Sequence, residues 1–243
     1  MYRLSARVRG QRVMEVPLDQ DWDLDERAML RAIEMAQPNV IFVASPNNPT
    51  GTMVSPDRLE RIVEQASDSL VVVDEAYVNY ADRNQLNLLE RYENVAILRT
   101  LSKVGFAALR VGWMIASEAL ISELDKIRLP YNIPTLSQNL AHVVLAEHSS
   151  YIDKLSETVR AERARVTQGL DALSGVSVVP SQANFLWFQV ERPASEIYEA
   201  LAKKGVLVRS FHGRGGKMEH FLRATIGTSE ENGQFLAAMA DII

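Results

Sequence analysis

Short apolar runs, rich in β-branched residues and each ending in a polar turn, alternate along this chain with segments of helical period. Parallel strands joined by crossover helices read this way, because a strand covered on both faces is apolar throughout while its helix carries one apolar stripe. The first unit predicts a helix over Leu24–Met35, a strand over Val40–Ala44 and a turn over Ser45–Gly51. The next predicts a helix over Pro56–Ala66 and a strand over Ser69–Asp74, with further strands at Val95–Arg99 and Val111–Ala116 and a helix over Glu118–Ile127. Pro130 and Pro134 interrupt this pattern, since proline removes a helical donor and crowds the preceding turn. A domain boundary is placed there, with part of a large α/β domain over 1–134 and connecting helices plus a small α+β domain over 135–243.

Ser150–Leu173 carries Ile152, Leu155, Val159, Val166 and Leu170 at helical spacing, with Glu162 and Arg163 breaking the heptad, so one long amphipathic helix is expected rather than a coiled coil. Strands are expected at Val176–Val179, Asn184–Val190, Val206–Arg209 and Leu222–Ile226. The stretch 213–217 is glycine-rich but lacks the spacing of a phosphate loop and reads as a turn between two strands.

Composition removes several classes of function. A formal charge of -5 is the wrong sign for a nucleic-acid-binding surface, although a small anion needs only local arginines. With no cysteine there is no disulfide, thiolate zinc site or cysteine nucleophile, and the four histidines show no metal-ligand spacing, so no metal is expected. No apolar run has the length of a membrane span and MYRLSARVRG lacks the apolar core of a signal peptide, which leads to an expectation of a cytoplasmic protein without a membrane partner.

Four polar segments follow expected strands. Asn48-Pro49-Thr50-Gly51 lies where open α/β sheets bind ligands, at a carboxyl strand end, and is equally a good turn sequence. Val71-Val72-Val73 delivers Asp74 at its end, where a buried acid calls for a cationic partner such as a pyridinium nitrogen, or else serves as a helix N-cap. In Thr100-Leu101-Ser102-Lys103 and the following Arg110, a lysine sits among hydroxyls and apolar residues. Desolvation there could activate it for attachment to a carbonyl, while Thr100, Ser102 and Arg110 offer phosphate donors; the alternative is a solvated loop lysine. Arg223 interrupts the apolar strand Leu222–Ile226 and requires an anion, either a substrate group or an internal carboxylate.

In this order, S-P-N-N-P-T-G, D-E-A-Y, T-L-S-K with L-R-V-G-W, A-N-F and L-R-A-T-I-G resemble the fold-type-I aminotransferases, which depend on pyridoxal phosphate. D-E-A-Y and L-R-A-T-I-G-T-S-E-E-N resemble most the histidinol-phosphate aminotransferases, and the resemblance runs over essentially the whole chain. It implies that Lys103 carries the cofactor and shuttles a proton, that Asp74 pairs with the ring nitrogen, and that Asn48 and Tyr77 bond the phenolate oxygen. It places Thr100, Ser102 and Arg110 on the cofactor phosphate, Arg223 on the α-carboxylate of glutamate or 2-oxoglutarate with Asn184 close by, and Arg209 on the substrate phosphate.

The implied reaction exchanges an amino group between L-histidinol phosphate and 2-oxoglutarate, in a homodimer. Other substrates open to the same residues are those of an aromatic or broad-specificity aminotransferase or of threonine-phosphate decarboxylase; a non-catalytic fragment or binding module is the alternative of another class. Two departures stand out. Lys103 and Arg110 are one residue closer than in many members, and Met1-Tyr2 resembles the end of the family segment P-T-[FY]-x-M-Y. The expectation is therefore that the family's N-terminal third, with its ring-stacking aromatic and a phosphate-binding turn, is not in this chain, which by itself would bind the cofactor weakly.

Overall fold

The computed structural model describes residues 2–213 and 215–243. Helix α1 (Tyr2–Val8) precedes α2 (Glu26–Ala36), strand β1 (Val40–Ala44), α3 (Pro56–Gln65), β2 (Leu70–Asp74), β3 (Val95–Thr100), β4 (Gly112–Ile115) and α4 (Glu118–Ile127). Each boundary has a local cause. Asp25 accepts the Ala28 amide at 2.9 Å to cap α2, Pro56 occupies the first turn of α3 where its missing donor costs nothing, and the Ser117 hydroxyl accepts the Leu120 amide to cap α4. Strands β1, β2 and β3 are parallel neighbours, and β4 returns antiparallel beside β3. Alternate side chains Ile41, Val43, Val71, Val73, Val95 and Ile97 point to one face, where α2 and α3 cover them with Ile33, Leu59, Ile62 and Val63. Each fully buried Leu or Ile of this layer contributes about 1.5–3 kcal/mol.

Residues 128–134 form no regular element. After them come α5 (Thr135–Glu147), α6 (Ser149–Asp171), β5 (Val176–Val179), β6 (Phe185–Val190), α7 (Ala194–Lys203), β7 (Arg209–Ser210), β8 (Phe221–Thr225) and α8 (Ser229–Ile242). The second sheet is antiparallel throughout, in the order β5-β6-β8-β7. Leu186, Phe188, Val190, Leu222 and Ala224 face α6, α7 and α8, which answer with Val166, Leu170, Ile197, Leu201, Phe235 and Met239. Strand alternation then forces Phe185, Trp187 and Phe221 onto the opposite face, and Arg223 with them, because it lies directly across from Trp187.

Three expectations are corrected. The strand over Val206–Arg209 contracts to Arg209–Ser210, since Val206 instead closes the end of α7 by donating its amide to the Leu201 carbonyl. Helices α1 and α5 had no individual prediction; α5 has a mostly exposed apolar surface with Leu136 and Leu140, so no stripe is visible in its sequence. The long helix is single and spans 23 residues, as its spacing predicts, but starts at Ser149 after a break at His148. Among the described residues, no helix is long and apolar enough to cross a membrane.

Helices α6 and α8 are joined by polar contacts as well as apolar ones. Glu162 accepts from Arg165 at 2.7 Å and from the Asn232 amide at 2.7 Å, while Asn232 also closes the turn before α8 through Gly227. The Arg165 hydrogen bond first, and the Asn232 bond second, pull the Glu162 carboxyl from 4.5 down to about 2. A carboxyl depressed in the folded state stabilises the fold fully above its unfolded value and loses that contribution as pH falls through its folded value. Glu162→Gln should therefore lower the thermal midpoint near neutrality and flatten its fall between pH 4.5 and about 2, as read by circular dichroism melts across that window.

Candidate active site

Three strand ends and the edge of the second sheet converge on one surface. At the end of β1, Ser45-Pro46 and Asn48-Pro49 are both cis peptide bonds, and the turn between them closes through the Gly51 amide on the Asn47 carbonyl at 2.8 Å. Gly51 has φ +74°, and a Cβ there would lie 2.3 Å from Ser181 Oγ, so the turn approaches the small sheet as only glycine allows. The Gly51 carbonyl accepts the Gln182 amide at 2.7 Å, which ties the turn to the segment leading into β6.

At the end of β2, Asp74 turns one carboxylate oxygen to the Ala76 amide at 2.9 Å and receives the Tyr2 hydroxyl on the other. Burial first and the Asp74 hydrogen bond second push the Tyr2 phenol well above its ordinary range, and its ring stacks on Phe42 with centroids 4.3 Å apart. Tyr2 lies beside the candidate site but was assigned no role there from the sequence, where Met1-Tyr2 served only to match the end of a family segment. The helix-cap alternative for Asp74 is met only in part, because a turn and a short 3-10 segment follow it rather than an α-helix.

The next residue, Glu75, points away from the site and is fully buried. Arg99, at the end of β3, donates from Nε and Nη2 to Glu75 Oε2 at 2.9 and 2.7 Å, and the Gln85 amide donates to Oε1 at 2.6 Å. Immediately after Arg99, Thr100 Oγ1 accepts the Ser102 amide at 3.0 Å. Its single hydrogen serves Ser102 Oγ at 2.9 Å or the Val111 carbonyl at 3.1 Å, which leaves the Ser102 hydroxyl hydrogen available outside the turn.

Lys103 ends that turn. It is exposed rather than desolvated, because the turn carries it past the apolar cluster that buries Leu101 and Val104. Its Nζ lies 5.4 Å from the ring centroid of Tyr77, whose hydroxyl accepts from Asn48 Nδ2 at 3.2 Å. Asn48 in turn accepts from Arg223 Nη1 at 2.7 Å, and Arg223 lies 4.9 Å over the Phe185 ring, which meets Tyr77 edge-on at 5.1 Å. Lys103, Tyr77, Asn48, Arg223 and Phe185 thus form one continuous patch assembled from five distant stretches of sequence.

Arg223 carries the clearest demand for a ligand. Among the described residues no carboxylate lies within salt-bridge distance, so the internal-partner alternative is not met, and its Nε is buried with no acceptor. Burial pulls its guanidinium down from the ordinary arginine value; Tyr77 opposes this and the neighbouring Arg209 charge adds to it in smaller degree. Arg209 is directly opposite Arg223 in the β7–β8 register, a like-charge pairing that costs stability unless an anion lies between or beside the two. Asn184 is half-buried and gives its backbone carbonyl to the Ile226 amide at 2.9 Å, next to Phe185. Arg110 is exposed, with φ +58° and Nη1 3.2 Å from the Ala107 carbonyl, beyond the Ser102 turn.

The chain belongs to the family described as aminotransferase class I and II, whose profile matches residues 1–239. It is 41% identical over 240 residues to histidinol-phosphate aminotransferase 2 of Nitrosococcus oceani, covering 98% of this chain and 66% of that protein. The chain thus spans slightly less than two thirds of that relative. The crystal structure of the histidinol-phosphate aminotransferase of Clostridium acetobutylicum superposes with a TM-score of 0.91 at 21% identity, covering 99% of this chain and 74% of the other. That of Sinorhizobium meliloti, in complex with pyridoxal-5'-phosphate, gives a TM-score of 0.88 at 24% identity, covering 99% of this chain and 67% of the other. These two establish the fold, that of the fold-type-I enzymes.

Gly51 offers a test of how the turn holds Asn48. Gly51→Ala combines a positive φ with overlap on Ser181, so it should destabilise the fold by about 1–3 kcal/mol in urea titration, whereas Gly10→Ala, with open space around it, should cost less.

Proposed function

We propose that these residues serve amino-group transfer between L-histidinol phosphate and 2-oxoglutarate with pyridoxal phosphate as cofactor. The supporting observation is the opposed Arg209–Arg223 pair, two cations with no carboxylate in salt-bridge distance among the described residues and one buried unpaired Nε, beside a lysine, a phenol and a carboxylate at strand ends. Relatives about 40% identical carry that enzyme's name, and the solved Sinorhizobium meliloti structure contains the cofactor.

The chemistry of the donor set fits that group. Asp74 would face the ring nitrogen, Asn48 and Tyr77 the phenolate oxygen, and Ser102, Thr100 and Arg110 the phosphate, with Ser102 the better hydroxyl because Thr100 is engaged inside its turn. When bound, pyridoxal phosphate supplies a carbonyl for covalent attachment of amines and a strong electron sink. Lys103 Nζ would provide the attachment point and, once freed by substrate, would carry the proton from the substrate's amine-bearing carbon to the cofactor. Asp74 would favour a proton on the ring nitrogen by its charge, and Tyr77 and Asn48 would favour the ionised phenolate oxygen by donating to it.

Arg223 forms a fork on the α-carboxylate of glutamate or 2-oxoglutarate, with Asn184 at the rim, and Arg209 adds donors for a substrate phosphate. One pocket thereby accepts both the carboxylate-bearing and the phosphate-bearing substrate. The homodimer implied by the resemblance, and the cytoplasmic location expected from the sequence, belong to this same reading.

Arg209→Ala should weaken the histidinol-phosphate half-reaction by about 2–3 kcal/mol in transition-state free energy and the glutamate half-reaction much less. Single-turnover rates with each substrate measure this. Equal losses, or none, would remove Arg209 from the site and favour an aromatic amino-acid substrate.

A further inference from the structure

The backbone of the Lys103 turn is held by a side chain that has no part in the chemistry proposed above. Tyr80 ends the 3-10 segment Val78–Tyr80 and is 2% exposed, enclosed with Tyr77, Leu101, Val104, Ile152 and Phe185. Its hydroxyl donates to the Lys103 carbonyl at 2.5 Å. The turn needs such an anchor, because Gly105, two residues on, has φ +96° and Lys103 itself is exposed.

Tyr80 is fixed from behind. Arg163 of α6 donates from Nη1 to the Tyr80 carbonyl at 3.1 Å and to the Ala183 carbonyl at 2.8 Å. Among the described residues no carboxylate lies within 4 Å of this guanidinium, so its charge-assisted bonds go to two backbone oxygens on different elements. Ala183 precedes Asn184 and Phe185, so one cation ties the segment entering β6 to Tyr80, and Tyr80 ties that assembly to the lysine turn.

We infer that Tyr80 is a positioning residue for Lys103, and that Arg163 couples its position to α6 and to the strand bearing Phe185. The tyrosine hydroxyl sets where Lys103 emerges relative to Tyr77 and Asp74. An error of about 1 Å in such a placement can cost roughly 100-fold in rate when groups must meet in one geometry. The inference rests on the proposed role of Lys103 but can be tested apart from it.

Tyr80→Phe keeps the ring in its cluster and removes only the hydroxyl. Two readouts apply to the 243-residue chain: the rate at which free pyridoxal phosphate is captured on Lys103, followed by absorbance, and the pH profile of acylation of Lys103 Nζ by a small activated ester without cofactor. Tyr80→Phe should slow capture about 10-fold and change the Lys103 acylation rate at least about 3-fold relative to Lys203 in the same molecule, with the melting midpoint nearly kept. Arg163→Lys, which retains the cation but has a shorter side chain without the planar fork to reach both carbonyls, should give the same changes in smaller degree.

A lowered melting midpoint with both Lys103 rates within about two-fold of the original would reduce Tyr80 to a packing residue and overturn the inference. If pyridoxal phosphate is captured on other lysines in preference to Lys103, the proposed function fails. The acylation profile still decides Tyr80 in that case: an unchanged profile overturns its positioning role, and a changed one supports it.

Discussion

The Glu75–Arg99 ion pair is the constraint on which the site's geometry depends. A fully buried carboxylate is tolerable only when compensated, and Glu75 receives two donors from Arg99 and one from the Gln85 amide. Its neighbour in sequence on one strand is Asp74; the neighbour of Arg99 on the next is Thr100. Strand alternation turns the pair inward and its neighbours toward the site, so the clamp fixes the spacing between the Asp74 carboxylate and the turn that bears Ser102 and Lys103. Removing one partner from such a pair costs about 3–5 kcal/mol because the other is left charged and buried, which explains why two charges persist where an apolar pair would pack.

The second sheet contributes through the same alternation. Its apolar face is covered by α6, α7 and α8, leaving Arg223 on the face that carries Phe185 and Trp187 and looks toward Asn48. The two halves meet at polar contacts with defined partners: Arg223 on Asn48, Gln182 on Gly51, and Gln182 paired with Asp82. An arginine held between a desolvating sheet and an amide oxygen is poised for an anion, since its buried Nε has no acceptor among the described residues.

Much of this was legible in the sequence, for identifiable reasons. The continuous run Val71-Val72-Val73 marks a strand buried on both faces, and β2 is central in its sheet. Asp74, Lys103 and Arg223 stand out because a charge at the end of, or within, an apolar run is costly without a partner. Arg209 was placed on a strand correctly but at its start rather than its end, since the residues before it complete the end of α7. The exposure of Lys103 matches the solvated-lysine alternative rather than the desolvated one, because its apolar neighbours in sequence, Leu101 and Val104, turn into the core while the lysine turns out. The contacts of Tyr2 with Asp74 and of Tyr80 with Lys103 were not legible for a different reason: each joins residues distant in sequence, and a tyrosine carries no local signature of that.

The central claim is that Lys103, among all the lysines of the chain, occupies the reactive position. Borohydride reduction after incubation with pyridoxal phosphate, followed by peptide mapping, tests it most directly. The account predicts the reduced adduct on the peptide containing Lys103; an adduct carried instead by Lys203, Lys204 or Lys217 would contradict it.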